Sequence, residues 1–506
     1  MKLIAMLIIG IVSNLILFIP VTAAPLDGVV TPNEKNFDTT ISLATTEPMP
    51  DKTLLEEEQD FIDKLRAKYK LISRVVVIDT AAELEDVLNN HDMYKANRTR
   101  FTLYFIRKNI DFNGNHAFPS YRLKISFSGI LASMGKEIRG LTEPLFYEIA
   151  SYSGPTVIKG ITFVDANIKK NFYSYGTSIS GIGILAFSAF SFRRQRIVLE
   201  DIQIKNSSVS HPGNYDNKSA GGLIGNIKPE AVIIMNNITV DNVSVSNIPL
   251  INTSSINDDE GIGGVIGKIG KKSQVVATNI KLNKVKTRGI INSGGFIGLI
   301  DSEADFLAYQ VSATKISISR LTGYASYVGY SCIIGDLWGK ASIESLSLSK
   351  CIGRERLSAF SRKEKVNYRR GTIMGGVVGS ISGDDPKLVV RNSTISDIHF
   401  KAKNPHNIND INSSYDTNFG CFVGKDSIHY HTPHQGSVDI DNLNIRNCFL
   451  SVDTLGSPDT DKPNSVGALF GKRNKEGVTL NVKDLSVTNL RFEVAGQTAF
   501  SPLGYE

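Results

Sequence analysis

The chain has 506 residues, a formal net charge of +6, 43 glycines, four cysteines and one tryptophan. Single hydrophobic cores stop growing at roughly 250–300 residues, so a chain of this length is either divided into domains or built from stacked repeats. The small positive excess does not suggest nucleic-acid binding, and four cysteines are too few for a disulfide framework. Abundant glycine, asparagine, serine, isoleucine and valine favour an all-β protein of short strands and turns.

The first 24 residues are typical of an export signal. Lys2 supplies the positive charge, residues 3–18 are almost entirely apolar, and cleavage is expected after Ala23 or Ala24. An uncleaved membrane anchor is the alternative, because the apolar run approaches the roughly 20 residues that span a bilayer. Residues 25–52 contain four prolines and no periodicity, which predicts a flexible linker. We expect a secreted or cell-surface protein that contacts a membrane only if the signal stays uncleaved.

Residues 53–150 are predicted to form a short helical cap followed by the first strands of the repeat region. Residues 53–71 place leucines and a phenylalanine among charged side chains, and residues 80–88 predict a second helix. Residues 75–78 and 101–110 predict strands. A cap is expected here because the open end of a stack of strands presents unpaired edges.

A glycine-marked motif repeats eight times in the remaining region, residues 151–506. Its full form is Gly-Gly, two apolar residues and a final Gly, and the copies lie at 182–186, 221–225, 263–267, 294–298, 331–335, 375–379, 420–424 and 467–471. Most copies precede apolar residues at positions one, three and six, as at Ile238, Val240 and Val243. This pattern predicts a strand, a bend and another strand, hence one turn of a single-stranded parallel β-helix per repeat.

Particular residue types are expected at the corners of this coil. The motif glycines are predicted to supply positive φ angles, and the small second residue is predicted to clear a neighbouring turn. Asparagine often precedes the sixth strand position, where a left-handed turn conformation is expected. These asparagines are Asn206, Asn242, Asn447 and Asn489.

The four cysteines are predicted to be reduced. Cys332 and Cys421 share one motif position two repeats apart, and Cys351 and Cys448 share a strand position, also two repeats apart. Two rungs of about 4.8 Å separate such pairs by about 9.6 Å, which exceeds the roughly 7 Å that a disulfide tolerates. We therefore expect inward thiols that act as small apolar fill.

The repeat resembles that of secreted bacterial proteins carrying the GLUG repeat, which is named for its small-residue and glycine-rich turn. The likeness spans residues 75–495 and includes the segments Ile-Asp-Phe-Asn-Gly at 110–114, Phe-Ser-Gly-Ile at 127–130 and Ile-Arg-Gly-Leu at 138–141. This resemblance implies a right-handed parallel β-helix on large surface or secreted proteins that are often adhesin-like. It implies no catalytic residue and no cofactor.

The strongest candidate for binding is a cluster of basic residues in the insertion after the fifth motif. Its members are Arg354, Arg356, Arg362, Lys363, Lys365, Arg369 and Arg370. Such a cluster could attract an anionic glycan, a lipid headgroup or an acidic host or cell-surface protein, although a charge run of this kind more often forms a solvated loop. Aromatic residues just before it form either a sugar-stacking platform or buried filling. They are Tyr324, Tyr327, Tyr330 and Trp338.

Signals for other chemistry are weaker. His429, His431 and His434 have a metal-like spacing, but they lack a fourth ligand and fit a polar loop. The acidic pair Asp384 and Asp385 and the acidic run 258–260 are possible catalytic carboxylates, although adjacent acids more often form turns. We therefore expect a binding or adhesin-like protein, with a polysaccharide lyase or glycoside hydrolase on the same fold as the alternative.

Overall fold

The computed structural model describes residues 52–70, 72–89, 101–114, 126–152, 154–169, 181–211, 219–247, 259–321, 329–356, 372–403, 417–426, 436–453, 464–473, 477–494 and 498–501. These ranges contain two helices, α1 (Glu56–Lys68) and α2 (Ala81–Asn89), and 35 strands in three sheets. The predicted export signal and linker, residues 1–24 and 25–51, lie outside the described ranges.

Sheet A is the largest sheet and has 16 strands. Numbered in chain order, they are β1 (Ile72–Ile78), β2 (Phe101–Ile106), β3 (Ile110–Asp111), β5 (Ile130–Arg139), β7 (Thr156–Val164), β8 (Asn167–Lys169), β11 (Arg196–His211), β14 (Val232–Asn247), β17 (Gln274–Asn283), β18 (Lys286–Gly289), β21 (Asp305–Thr314), β22 (Ser317–Leu321), β25 (Lys340–Arg356), β28 (Lys387–Lys403), β31 (Ser437–Asp453) and β34 (Thr479–Val494).

Sheets B and C consist of shorter strands. Sheet B contains β4 (Ser126–Phe127), β6 (Phe146–Ser151), β10 (Ala186–Ser191), β13 (Ile224–Ile227), β16 (Ile266–Ile269), β20 (Ile297–Ile300), β24 (Ile334–Leu337), β27 (Val378–Ile381), β30 (Val423–Asp426) and β33 (Phe470–Lys472). Sheet C contains β9 (Gly181–Ile182), β12 (Ser219–Gly221), β15 (Gly261–Gly263), β19 (Asn292–Gly294), β23 (Gly329–Ser331), β26 (Ile373–Gly375), β29 (Asn418–Gly420), β32 (Asn464–Gly467) and β35 (Thr498–Ser501).

The chain visits sheets C, B and A in the same order eight times. We number these turns by their first strand, from turn 1 at β9 through turns 2 to 8 at β12, β15, β19, β23, β26, β29 and β32. All pairings between the described strands are parallel. The fold is therefore all-β, with parallel strands in stacked sheets, an arrangement consistent with a β-solenoid.

One motif copy falls in each turn, and the copies of turns 2 to 8 lie in register, whereas the predicted copy at 182–186 is displaced by one residue because its last residue, Ala186, pairs with Ile224. Ile224 pairs with Ile266, which pairs with Ile297, and the same alignment continues through turn 8. The last glycine of each motif directly follows these paired residues, so the glycines form one column. In sheet A, Ile238 likewise stacks on Ile202 and Ile280, and all three are fully buried. Each buried aliphatic side chain stabilises the stack by about 1.5–3 kcal/mol.

The motif glycines serve close packing of the backbone. None of those described has a positive φ, so the predicted left-handed glycine corner is wrong. A side chain on Gly222 would collide with the carbonyl oxygen of Gly264 in the next turn, and one on Gly225 would collide with Ile182 N in sheet C. The prediction that the second motif residue must be small to clear the neighbouring turn is thus confirmed at Gly222.

Positive φ angles occur at two bends in the long strands of sheet A. The first-bend column comprises Asp201, Asn237, Asn279, Gln310, Ser345, Asn392, Asn442 and Asp484, and the second-bend column comprises Asn206, Asn242, Lys284, Lys315, Lys350, Asp397, Asn447 and Asn489. The left-handed conformation predicted for the four asparagines is therefore confirmed. Their amides also join neighbouring turns, since Asn242 Nδ2 donates to Asn206 Oδ1 at 2.9 Å.

The cysteines form two disulfides, so the prediction of reduced thiols is wrong. Cys332 is bonded to Cys351 and Cys421 to Cys448, each with a Cα–Cα distance of 6.2 Å. Each disulfide lies within a single turn, the first in turn 5 and the second in turn 7. In both turns the second motif residue and the residue after the second bend face each other across the interior. The prediction compared equivalent positions in different turns, which are indeed too far apart.

Helix α1 packs on the face of sheet A. Ile62 and Leu65 are buried against Leu103 of β2, Ile130 of β5 and Val157 of β7. Lys68 at the end of the helix forms an ion pair with Glu200 of β11 at 3.1 Å. The helix therefore covers the sides of the first strands, and a cap over the end of the stack stays a prediction. No helix of the described ranges is long and apolar enough to cross a membrane.

Candidate binding surface

The two bends divide each long strand of sheet A into three segments. In β25 these are residues 340–344, 346–349 and 351–356, separated by Ser345 and Lys350. In turns 1 to 7 alternate residues of the segments are buried, and those between them form the outer face, whereas in turn 8 the inward residues are only half-buried or exposed. Parallel pairing aligns equivalent outer residues of successive turns in columns about 4.8 Å apart. The outer face is thus a grid whose composition can be compared turn by turn.

Three lysines interrupt the second-bend column. Lys284, Lys315 and Lys350 lie on consecutive turns, and all three are exposed with φ between 53° and 56°. Their stacking follows from the pairing of the residues before them, Asn283 with Thr314 and Thr314 with Ser349. In the other turns this position holds asparagine or aspartate, which tolerates the left-handed conformation. Turns 3 to 5 therefore depart from the pattern of the column.

This departure is unfavourable for folding. A left-handed conformation costs a residue with a long side chain about 1–2 kcal/mol, and lysine cannot accept a hydrogen bond from the next turn as asparagine does. Like charges about 4 Å apart also repel each other by about 1 kcal/mol in water. Three stacked lysines are thus less stable than three stacked asparagines, which points to a role outside folding.

Four further cations lie beside these lysines on the third segment. Lys286 and Arg288 belong to turn 3, Arg354 to turn 5 and Lys401 to turn 6. Arg354 pairs in register with Lys401, and Ser319 lies between Arg288 and Arg354. We call the seven cations the basic strip. Its residues are Lys284, Lys286, Arg288, Lys315, Lys350, Arg354 and Lys401.

The basic strip lacks neutralising carboxylates. Within the described ranges, none of its seven cations has a carboxylate oxygen within 4.0 Å. The first segment differs, because Lys387 lies 3.7 Å from Asp439 and Lys483 lies 3.7 Å from Asp441. The positive potential is therefore concentrated along the second bend of turns 3 to 5 and the third segment of turns 3 to 6, and the second-bend column changes sign at Asp397 in turn 6.

The pKa of His399 is affected by the positive charges of the strip. This histidine lies on the outer face of turn 6, next to Ile352, and its ring centroid is 4.6 Å from that of Phe449. Partial burial, followed by the charges of Arg354 and Lys401, lowers the pKa of His399 below 6.5, while Glu493 opposes the shift. His399 is therefore neutral at pH 7 and adds no charge to the strip.

The structure places only part of the predicted basic cluster. Arg354 is exposed on the strip, and Arg356 ends β25, although its side chain is outside the described part of the chain. Five members of the cluster lie wholly outside it. They are Arg362, Lys363, Lys365, Arg369 and Arg370.

The predicted aromatic platform is not found among the residues that the structure describes. Tyr330 is fully buried below the guanidinium of Arg320, so for this residue the alternative of interior filling is correct. Trp338 is half-buried and its Nε1 donates to Asp336 Oδ2 at 2.8 Å. Tyr324 and Tyr327 lie outside the described ranges.

The catalytic and metal candidates gain no support. Asp384 and Asp385 are exposed in the connection between β27 and β28, and Asp385 lies 3.8 Å from Lys340. His429, His431 and His434 lie outside the described ranges, within which no group of three or more His, Cys, Asp or Glu side chains could hold a metal ion.

Two carboxyl groups have raised pKa values, and the sequence analysis named only the second, as part of the acidic run 258–260. Asp336 is buried and accepts hydrogen bonds from Ser380 Oγ at 2.6 Å and Ser382 Oγ at 3.2 Å, and its burial raises its pKa to about 7. Glu260 is half-buried and accepts a hydrogen bond from Ser219 Oγ, and desolvation, followed by the smaller effect of Asp259, raises its pKa to about 7 as well. Within the described ranges, no hydrogen bond joins either group to a second carboxyl group in the way expected of a hydrolase pair.

Comparisons with known proteins add no identification. No protein-family model, no curated protein and no solved structure matches this chain.

The lysine column could have been found from the sequence. Aligning the repeats on the residue before the sixth strand position places Lys284, Lys315 and Lys350 opposite Asn206 and Asn242. The sequence analysis noted only the asparagines at this position. A comparison of each repeat with the consensus of its neighbours would have shown three consecutive exceptions.

Proposed function

We propose that the chain is an exported binding protein, a right-handed parallel β-helix with an amino-terminal helical cap, whose basic strip binds an anionic ligand. The observation that supports this most is the column Lys284, Lys315 and Lys350, in which three consecutive lysines have positive φ angles and, in the described structure, no carboxylate within 4.0 Å. Arg354 lies near the end of β25, shortly before residues 357–371, whose sequence contains five more cations.

Export is supported by two independent features. The first 24 residues have the composition of a cleavable signal, and the described chain contains two disulfides, at Cys332–Cys351 and Cys421–Cys448. Disulfides persist mainly in oxidising compartments such as the periplasm or the extracellular space. A secreted or surface-displayed adhesin-like protein, as the resemblance to GLUG-repeat proteins implies, agrees with both features.

The shape of the site favours an extended ligand. The strip lies on the outer face of a sheet and crosses four turns, a length of about 14 Å at the spacing of strands. Small-molecule sites are usually concave pockets, whereas an open row of cations suits a polymer or a charged surface.

The double variant Arg354→Ser and Lys401→Ser tests the proposal. It removes two adjacent cations of the strip without removing any hydrogen bond or ion pair of the described structure. We expect elution from a heparin column at clearly lower salt, with the melting temperature unchanged.

The matched control is Arg391→Ser and Lys483→Ser, which removes the same charges from the outer face of the first segment. Because net charge alone would affect both variants equally, the control should elute close to the unaltered protein. If both variants elute at equally lowered salt, heparin binding depends only on the net charge of the protein. That result would refute a specific site at the basic strip.

A further inference from the structure

The second segment beside the basic strip is an array of neutral hydroxyl groups. In turns 4 to 6 its outer positions hold Ser312 and Thr314, Ser347 and Ser349, and Thr394 and Ser396. These residues pair in register as two parallel columns. We call these six residues the hydroxyl array. It contains no charged side chain over three consecutive turns.

An uninterrupted run of hydroxyls over three turns occurs only here among the eight turns. The equivalent positions hold Gln203 and Lys205 in turn 1, Thr239 and Asp241 in turn 2, and Lys281 and Asn283 in turn 3. Turn 7 has Asn444 and Arg446, and turn 8 has an isolated pair of hydroxyls, Ser486 and Thr488. The hydroxyl array thus begins and ends within the length of the basic strip.

Three of its six hydroxyls are available to a ligand, because Ser349 Oγ donates to Thr314 Oγ1 and Ser396 is buried with its Oγ donating to Asp397. Ser312 and Ser347 are exposed and Thr394 is half-buried, and none of the three forms a side-chain hydrogen bond in the described structure. Hydroxyls both donate and accept hydrogen bonds, so they match the hydroxyls of a sugar.

The array and the strip are immediate neighbours. Thr314 precedes Lys315 and Ser349 precedes Lys350, so the rows of turns 4 and 5 continue into a cation at the second bend, whereas Ser396 of turn 6 precedes Asp397. A chain lying along the stacking direction would contact both at once. Its charged groups would face the lysines and Arg354, and its uncharged hydroxyls would face the second segment.

We propose that the basic strip and the hydroxyl array together bind an acidic polysaccharide, a chain of sugars with carboxylate or sulfate groups. This rests on the proposed function and selects one ligand class from it. Lipid headgroups and polyphosphate offer anions to the strip, but they lack the regular row of hydroxyls that the array would recognise. An acidic polysaccharide offers both kinds of group along its length.

The triple variant Ser312→Ala, Ser347→Ala and Thr394→Val tests this inference. It removes three hydroxyls and no charge. Dissociation constants would be measured for polygalacturonate, heparin, long-chain inorganic polyphosphate and phosphatidylserine vesicles. We expect at least about a tenfold loss of affinity for one or both polysaccharides, since each net hydrogen bond contributes about fivefold. Affinity for polyphosphate should be unchanged.

The control variant Ser342→Ala, Ser486→Ala and Thr488→Val removes the same groups outside the array and should leave all four affinities unchanged. A loss confined to polygalacturonate or to heparin identifies the acidic group as carboxylate or sulfate. Unchanged polysaccharide binding by the array variant, or an equal loss for polyphosphate, would overturn the inference while the proposed function stands. If the unaltered protein binds none of the four probes, the proposed function fails and the inference with it.

Discussion

Glycine and asparagine shape each turn in different ways. The motif glycines allow the backbones of successive turns to pack closely, because a Cβ on Gly264 would collide with Gly295 O of the next turn and lie 2.5 Å from Val285 Cγ1. The asparagines instead adopt the positive φ angles that bend sheet A. The two residue types therefore fail in different ways when they are substituted.

Substitution of Gly264 by alanine should destabilise the protein by about 1–3 kcal/mol, because the extra carbon overpacks the contact between turns. Chemical denaturation would measure this loss. Ala468 occupies the same motif position in turn 8, and Ala468→Gly serves as the control, with a change of about 1 kcal/mol or less expected. Equal stability of Gly264→Ala and the unaltered protein would show that the turns are less tightly packed.

The buried carboxyl of Asp336 predicts a dependence of stability on pH. Its pKa rises from 3.8 to about 7 on folding, so the folded state binds the proton more tightly. This contribution is fully present below about pH 4, decreases by about 1.4 kcal/mol per pH unit as the pH rises towards 7, and is absent above that.

The variant Asp336→Asn removes this titration. The difference in unfolding free energy between the unaltered protein and Asp336→Asn should therefore shift in favour of the variant between pH 4 and 7. Asp385→Asn, at an exposed position, is the control and should show no such trend. If the difference in unfolding free energy between the unaltered protein and Asp336→Asn does not change between pH 4 and 7, the buried carboxyl of Asp336 does not have a raised pKa.

At the scale of strands and turns, the sequence predicted the repeat well because the signal is redundant. Eight motif copies and the apolar pattern at positions one, three and six recur, so local ambiguities cancel, and each copy occupies one turn. Contacts between different parts of one turn were less accessible. The sequence alone does not say which residues of sheet C face the third segment of sheet A.

The disulfides illustrate this limit. Cys332 and Cys351 are 19 residues apart and meet only because the chain has turned from sheet C through sheet B to the second bend of sheet A. Equivalent positions in the repeat suggested the wrong pairs. The stacked lysines Lys284, Lys315 and Lys350 were missed because they depart from the repeat pattern. The prediction looked for residues that follow this pattern and so noted only the asparagines.

Both disulfides should be detectable in the folded protein. Peptide mapping without reduction is expected to recover Cys332 linked to Cys351 and Cys421 linked to Cys448. Loops of about this size stabilise a fold by about 3 kcal/mol, so reduction should lower the melting temperature. Four titratable thiols in the native protein, or a link between Cys332 and Cys421, would contradict the arrangement of the turns.

For the whole molecule, parallel stacking converts sequence differences between repeats into surface features. Each turn contacts mainly its neighbours, so the interior can stay apolar while the outer face varies from turn to turn. Turns 3 to 6 use this freedom to place the basic strip next to the hydroxyl array. Tyr324, Tyr327 and the predicted basic residues of 357–371 lie outside the described ranges, so their part in the surface stays a prediction from sequence.

We infer that the three stacked lysines Lys284, Lys315 and Lys350 lower the free energy of unfolding and serve ligand binding. The triple variant Lys284→Asn, Lys315→Asn and Lys350→Asn tests this inference directly. Its melting temperature and its affinity for heparin would be measured beside those of a control, Lys340→Asn, Lys387→Asn and Lys483→Asn. We expect a higher melting temperature and weaker heparin binding for the variant of Lys284, Lys315 and Lys350 alone. A lower melting temperature with unchanged binding would contradict this inference.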